Sequence, residues 1–309
     1  EEEEECVYAT AANQTLHRMI NTMPIDKFVL KAPTFDRHTN YRMVFIVISA
    51  PFEKYERDEI RRTWANEKSS ITRKVIDSLV IFLMGRSSIA WVEAADHNDI
   101  LQVDVDDVYR SMVYKVECAF RWVRENLKSE FVVKVDSDTV IHVDRLNEHL
   151  KRLDQRGSDR WMTCYRWLPA MPIRDSCHRW FVAEEDFGLE YFPEYCNGPG
   201  YVMKRSAFDT IVDRMGSVKV FEVEDAFFTG VVARNLVDLY CVDGMVSPLF
   251  TEYSSCDEDA SPTLSVLTTH FQFGEEKSKK NLTAAYERLK RPLCDTTVTR
   301  WLYQTAQCK

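Results

Sequence analysis

The residues Met43–Ser49 read Met-Val-Phe-Ile-Val-Ile-Ser, a run without a charge or a turn residue. An amphipathic helix would interrupt such a run every three or four positions, and a sheet with one wet face at every second position. A short unbroken apolar run fits a strand covered on both faces, as in a parallel sheet layered between helices. The pattern returns at Ser78–Gly85 and at Phe131–Val135. Between these runs, Lys54–Trp64 is helix-compatible. Tyr109–Asn126 carries Met112, Val113, Val116, Phe120 and Val123 at helical spacing. Asp144–Leu153 follows, with Leu146, Leu150 and Leu153 on one face. The order β-α-β-α-β-α predicts an α/β fold with a Rossmann-like, mostly parallel sheet flanked by helices.

The second half is less regular. Trp161–Asp186 is rich in aromatics and reads as mixed loop and strand, and Pro193–Gly200 carries turn signals. Val218–Val223 is strand-like, helices are expected at Arg205–Met215 and Asp225–Asn235, and a late strand at Ser265–Phe273. Residues 1–40, polar and without a clear period, read as a stem or loosely packed segment. Residues 41–309 read as one unit, with a regular β-α half to about 145 and a less regular half from about 146.

Composition narrows the class. The chain has 309 residues and a net charge of −9, which argues against a general nucleic-acid footprint. No apolar stretch is long enough to span a bilayer, so a signal or membrane anchor is expected upstream of Glu1, where the chain opens without a methionine. The nine cysteines form no Cys-x-x-Cys pair, which disfavours zinc ribbons and redox motifs and suits structural disulfides. An odd count leaves at least one cysteine free or paired elsewhere. The sequons at Asn13 and Asn281 add to the case for a secretory lumen.

Four features carry chemistry. Asp136-Ser137-Asp138 follows a buried strand directly. Residues i and i+2 of an extended segment point the same way, so two hard carboxylates would face one site and suit Mg²⁺ or Mn²⁺; a solvated turn is the plainer alternative. Arg57 and Arg61 stand i, i+4 on a helix and could share one anion or form a solvated basic face. Glu224-Asp225 opens a helix, whose N-terminus would lower an acid's pKa. His270 lies in an apolar strand, as a structural residue or a ligand.

These features occur in one order, with further matches between them. Arg57-x-x-x-Arg61-x-Thr63-Trp64, Asp107-x-Tyr109 with Lys115, Lys134-x-Asp136-x-Asp138, the segment Tyr191-x-Pro193-x-Tyr195-x-x-Gly198-x-Gly200-Tyr201-Val202, and Glu224-Asp225 resemble the motifs of the β-1,3-galactosyltransferase family. That family also includes β-1,3-N-acetylglucosaminyltransferases. The resemblance covers about residues 42–273. It departs where Ser111-Met112-Val113 replaces Asn-Leu-Thr, where Ser137 replaces a middle Asp, and where Ala226 replaces Val.

The resemblance implies a GT-A glycosyltransferase fold and an inverting, metal-dependent hexosyltransferase. It would move galactose from a UDP-sugar to a glycan, glycoprotein or glycolipid acceptor in β-1,3 linkage. Transfer of N-acetylglucosamine or N-acetylgalactosamine is the near alternative. A UDP-sugar hydrolase and a non-catalytic luminal sugar-binding protein are the others. Asp225 is then the base and Glu224 its supporting neighbour. Asp138 and His270 hold Mn²⁺ (or Mg²⁺), with Asp136 on the ribose or a metal-bound water. Arg57, Arg61 and Lys115 face the nucleotide, and Tyr195, Gly198 and Gly200 shape the sugar sites. Trp180 stacks on a sugar or packs in the core. The implied setting is the Golgi lumen, as a type II membrane protein.

Overall fold

The computed structural model describes residues 11–69, 77–88, 90–241, 268–270 and 282–290. Asn281 and Cys6, Cys256, Cys294 and Cys308 lie outside these, as does the expected strand Ser265–Phe273 apart from residues 268–270. Helix α1 (Gln14–Thr22) and strand β1 (Val29–Lys31) come first. Then follow β2 (Asn40–Ile48), α2 (Lys54–Arg62), β3 (Ser78–Met84), α3 (Ala90–His97), β4 (Ile100–Val103), α4 (Met112–Asn126) and β5 (Lys128–Asp136). The second half holds β6 (Thr139–Ile141), α5 (Val143–Asp154), β7 (Trp161–Trp167), β8 (Tyr195–Lys204), α6 (Arg205–Met215) and a π-helical turn at Ala226–Val232. β9 (Asp238–Cys241), β10 (Thr268–His270) and α7 (Leu282–Lys290) complete the described elements.

One eight-stranded sheet runs in the order β1-β4-β3-β2-β5-β8-β7-β9. Strands β4, β3, β2 and β5 are mutually parallel, as their apolar runs predict. β8 is antiparallel to both β5 and β7, and β1 to β4, while β9 joins β7 in parallel. The continuous run in β2 has a direct cause. Val44, Ile46 and Ile48 point into one apolar cluster with α1, α4 and α6, and Met43, Phe45 and Val47 into a second with α2, α5 and α7. Both faces of the strand are core, so no position is left for a polar residue. The chain leaves β2 towards β3 on one side, and β5 lies on the other. Their carboxyl ends, with Ile48 opposite Asp136, therefore bound a crevice where the winding reverses.

Four expectations are corrected. Residues 11–31 are not a loose stem. Ile20, Ile25 and Phe28 are buried in the core, β1 pairs with β4, and buried His17 meets buried Glu117 of α4 at 2.5 Å. Helix α1 is amphipathic over only nine residues, too short for its period to stand out of a polar context. Tyr195–Lys204 is a sheet strand despite its Asn-Gly-Pro-Gly signals, because β5 lends it a long antiparallel ladder from Phe131↔Lys204 to Val135↔Gly200. The expected helix from Asp225 is a shorter π-helical turn, and Val218–Val223 joins no sheet. Cys164 and Cys196 form a disulfide between β7 and β8, and Cys177 is also disulfide-bonded. Cys118 is free and buried. No helix among the described residues is long and apolar enough to cross a membrane.

Candidate active site

A cleft of about 810 Å³ opens at the reversal point. The ends of β2 and β5, the start of α4, the loop carrying Arg179 and Trp180, the start of β8 and the segment Glu222–Asp225 line it. It gathers Lys115, Asp136, Asp138, Trp180, Tyr195, Gly198, Glu224 and Asp225, which span more than a hundred residues of sequence.

Lys134 organises the floor. Its side chain is 1% exposed, and its ammonium donates to Asp136 Oδ1 at 2.8 Å and to the Gly198 carbonyl at 2.7 Å, with Glu224 Oε2 at 3.3 Å. Burial works against its charge, but Asp136 and Glu224 more than offset it, so its pKa stands above the ordinary value. Glu224 is buried, and its Oε1 accepts from the Tyr201 hydroxyl at 2.5 Å. Burial raises its pKa while Lys134 opposes the rise.

The adjacent Asp225 is placed differently. Its Oδ1 accepts from the Ala226 N–H at 2.8 Å. Oδ2 lies beside Gly198, where a Cβ would come within 3.1 Å of it. That close approach, not a turn, is what requires glycine at position 198. Burial, and then the nearby charge of Glu224, push Asp225 up to about 7. This reverses the lowering expected from a helix start: a single turn supplies little dipole, and desolvation beside another acid outweighs it. The two neighbouring acids thus divide, with Glu224 locked to Lys134 and Tyr201 and Asp225 half-buried against the cleft.

Asp136, the last residue of β5, and Asp138, in the turn that follows it, both line the cleft, so the alternation of an extended segment does not carry through to Asp138. Ser137 lines the cleft as well and donates to Glu53 Oε2 at 2.8 Å, which also accepts from the Ala50 N–H at 2.7 Å. A carboxylate at position 137 would face Glu53, so serine is the compatible residue in this chain. Asp136 and Asp138 are hard oxygen donors of the kind that suits a divalent cation, and the backbone register sets His270 opposite Thr139, next to Asp138. The His270 side chain lies outside the described residues. Among those residues no group of three or more His, Cys, Asp or Glu could hold a metal.

Arg57 and Arg61 are not among the residues that line the cleft. Arg57 is fully buried and its guanidinium is saturated: two bonds to Glu93, one to Ser49 Oγ, and one each to the carbonyls of Ala50 and Pro51. Arg61 pairs with Asp99 through two bonds and with Glu93 at 2.8 Å. Both sit on one helix face as read, but that face meets acids from α3 and the start of β4. Arg57 therefore shapes the 49–51 loop that rims the cleft. Gly200 is also outside the cleft, opposite Val135 in the ladder, where a Cβ would make an ordinary 3.7 Å contact. Lys115 does line the cleft, held by Asp107 Oδ1 at 2.7 Å.

Trp180 is 42% exposed on the cleft rim, which removes the core alternative. The Arg179 guanidinium lies 4.2 Å over the Tyr109 ring and 5.7 Å over Trp180. Sequence reasoning missed Glu53, Arg179, Trp167 and Asn197 as cleft residues. Only the turn-like Asn197-Gly198 pointed near them, and it was read as a loop. Asn13 is exposed and caps α1, accepting from the Leu16 N–H at 2.9 Å.

Fold and site together define an α/β chain with an acid-lined ligand cleft at the winding reversal of its sheet. The family model described as "Galactosyltransferase" matches residues 55–239, more than half of the sequence, and the chain belongs to that family. It is 33% identical over 206 residues to beta-1,3-galactosyltransferase 5 of Pan troglodytes, covering 64% of this chain and 68% of that protein. It is 30% identical over 210 residues to UDP-GalNAc:beta-1,3-N-acetylgalactosaminyltransferase 1 of Homo sapiens, covering 65% of this chain and 62% of that protein. Similar solved structures include the WbbM bifunctional glycosyltransferase (TM-score 0.44, 13% identity, 88% of this chain and 53% of that one). Mouse xyloside xylosyltransferase 1 is another (TM-score 0.41, 10% identity, 76% of this chain and 98% of that one).

Proposed function

We propose that this chain is an inverting β-1,3-hexosyltransferase that moves a sugar, galactose first, from a UDP-sugar to a hydroxyl of a glycan acceptor. The observation that carries the reading is the Asp225 carboxyl, half-buried in the cleft with its pKa pushed up to about 7. A base poised near neutral pH balances the fraction ionised against its proton affinity.

In the reaction the acceptor hydroxyl gives its proton to Asp225 Oδ2 as its oxygen bonds to the anomeric carbon. The bond from that carbon to the diphosphate oxygen breaks on the opposite face, and the electron pair leaves with UDP. The state between is oxocarbenium-like, as in glycoside cleavage. Lys134 keeps Asp136 and Glu224 in place and holds the Gly198 carbonyl, which fixes the backbone against Asp225. Lys115 stands where it would meet the donor's nucleotide side, and Tyr195 and Trp180 border the sugars. A divalent cation, Mn²⁺ before Mg²⁺, would be held by Asp138 and His270 with Asp136 nearby, and would neutralise charge on the leaving diphosphate. The Cys164–Cys196 disulfide and the exposed Asn13 sequon support a Golgi-lumen setting.

A donor screen that reads UDP release with Mn²⁺ tests the proposal. Release from one UDP-hexose that rises when a saccharide acceptor is added, with product of inverted anomeric configuration, is the expected result. Release unaffected by any acceptor would make the chain a hydrolase. Binding without release would make it a sugar-binding protein.

A further inference from the structure

Trp167, the last residue of β7, is a large apolar side chain left 45% exposed on the cleft rim. It is not loose: its indole N–H donates to Asn197 Oδ1 at 2.8 Å, and the Tyr165 ring packs edge-on at 6.2 Å. Asn197 precedes Gly198, the residue against Asp225 Oδ2. Trp167 is also the register partner of Tyr195 across the β7–β8 ladder, and Tyr195 lines the cleft with Asp225. The disulfide Cys164–Cys196 fastens the same two strands just inside this pair. An indole held on a wet rim costs exposed apolar area and contributes nothing to the core. Trp167 is set off from Gly198 by one strand spacing of about 4.8 Å and, opposite Tyr195, by three residues or about 10 Å along β8, so a sugar resting on it lies beyond the one next to Asp225.

We propose that Trp167 is an acceptor subsite: it stacks against the second sugar of the acceptor, counted from the residue that receives the hexose, so the chain selects a disaccharide or longer glycan over a monosaccharide. The inference rests on the hexosyltransferase reading above and deepens it. The apolar face of a pyranose against an indole face supplies the contact. The Asn197 bond holds the ring so that little rotamer freedom is lost on binding. Because Trp167 is bonded to Asn197 and paired with Tyr195, on the strand that also carries Gly198 beside Asp225, its effect falls on acceptor and not on donor.

The test compares kcat/KM for two acceptors with the UDP-hexose that the donor screen identifies: methyl β-N-acetylglucosaminide, and the methyl glycoside of N-acetylglucosaminyl-β-1,3-galactose. Trp167→Ala is expected to lower the disaccharide-to-monosaccharide ratio by about tenfold, chiefly through the disaccharide KM, while the donor KM stays put. Trp167→Phe, which keeps an aromatic face, is expected to recover most of the ratio. A ratio within about twofold of wild type for Trp167→Ala, or an equal loss on both acceptors, would overturn the subsite while leaving the transferase reading intact. A wild-type chain that transfers to neither acceptor, nor to any other saccharide, removes that reading and the subsite with it.

Discussion

Replacing Lys134 by methionine tests the organisation of the cleft floor. The ammonium is buried, and its partners Glu224 Oε2 and Asp136 Oδ1 lie at 3.3 and 2.8 Å. Methionine fills a similar volume but leaves Glu224 as an uncompensated buried acid, with only the Tyr201 hydroxyl still bonded to it. Removing one partner of a buried pair costs roughly 3–5 kcal/mol. At about 2 °C per kcal/mol for a chain of this size, the melting temperature of Lys134→Met should fall by about 6–10 °C. The pH dependence follows from the sign of the shift. Glu224 already has a raised pKa in the folded chain, and losing Lys134 raises it further. A carboxyl so raised contributes stability below its unfolded pKa, and that stability is lost as pH rises through the folded value. The deficit should therefore be larger at about pH 8 than at about pH 5. Glu224→Gln added to Lys134→Met should recover most of it. Thermal melts followed by circular dichroism at both pH values provide the assay. A deficit under about 1 kcal/mol, or one insensitive to both pH and Glu224→Gln, would refute the argument.

Other expectations follow from the same geometry. Gly198→Ala places a methyl where only 3.1 Å separates it from Asp225 Oδ2, so kcat should fall about tenfold with the fold intact, measured by transfer assay and melting temperature together. Arg57→Lys cannot make the five-bond clamp on Glu93, Ser49, Ala50 and Pro51; it should cost about 2–4 kcal/mol by chemical denaturation and weaken donor binding through the rim loop. A chain lacking residues 1–31 should lose cooperative melting, because Ile20, Ile25 and Phe28 leave a gap in the core and β4 loses its outer partner. A truncation that melts like the full chain would show that the N-terminal segment is expendable.

What the sequence disclosed and what it withheld divide along physical lines. β2, β3 and β5 were legible because burial on both faces writes itself as an unbroken apolar run. α4, α5 and α6 were legible because a core-facing stripe repeats at helical spacing. Asp136 and Asp138 were legible as cleft residues because they follow a buried strand at the carboxyl edge of the sheet, although a turn and not an extended segment carries Asp138. β8 was hidden because its glycines and proline mimic a turn, and pairing with β5 on one side and β7 on the other makes it a strand. The roles of Arg57 and Arg61 were misread because a helix face does not reveal what packs on it; Glu93 and Asp99 arrive from more than thirty residues away. The raised pKa of Asp225 was invisible because it arises from burial beside Glu224, which is a property of packing.

The claim that Asp225 is the base is tested most directly by the pH dependence of kcat/KM in three chains: wild type, Asp225→Asn and Glu224→Gln. A base whose pKa is about 7 must be ionised to act, so wild-type kcat/KM should fall as pH drops through that value. Asp225→Asn should lose about 10²–10⁴-fold in kcat and the acid limb with it, and UDP affinity should be little changed. Glu224→Gln should keep the limb. An Asp225→Asn chain that retains more than about a tenth of wild-type turnover with the limb in place, while Glu224→Gln is inactive, would contradict the account and exchange the two roles.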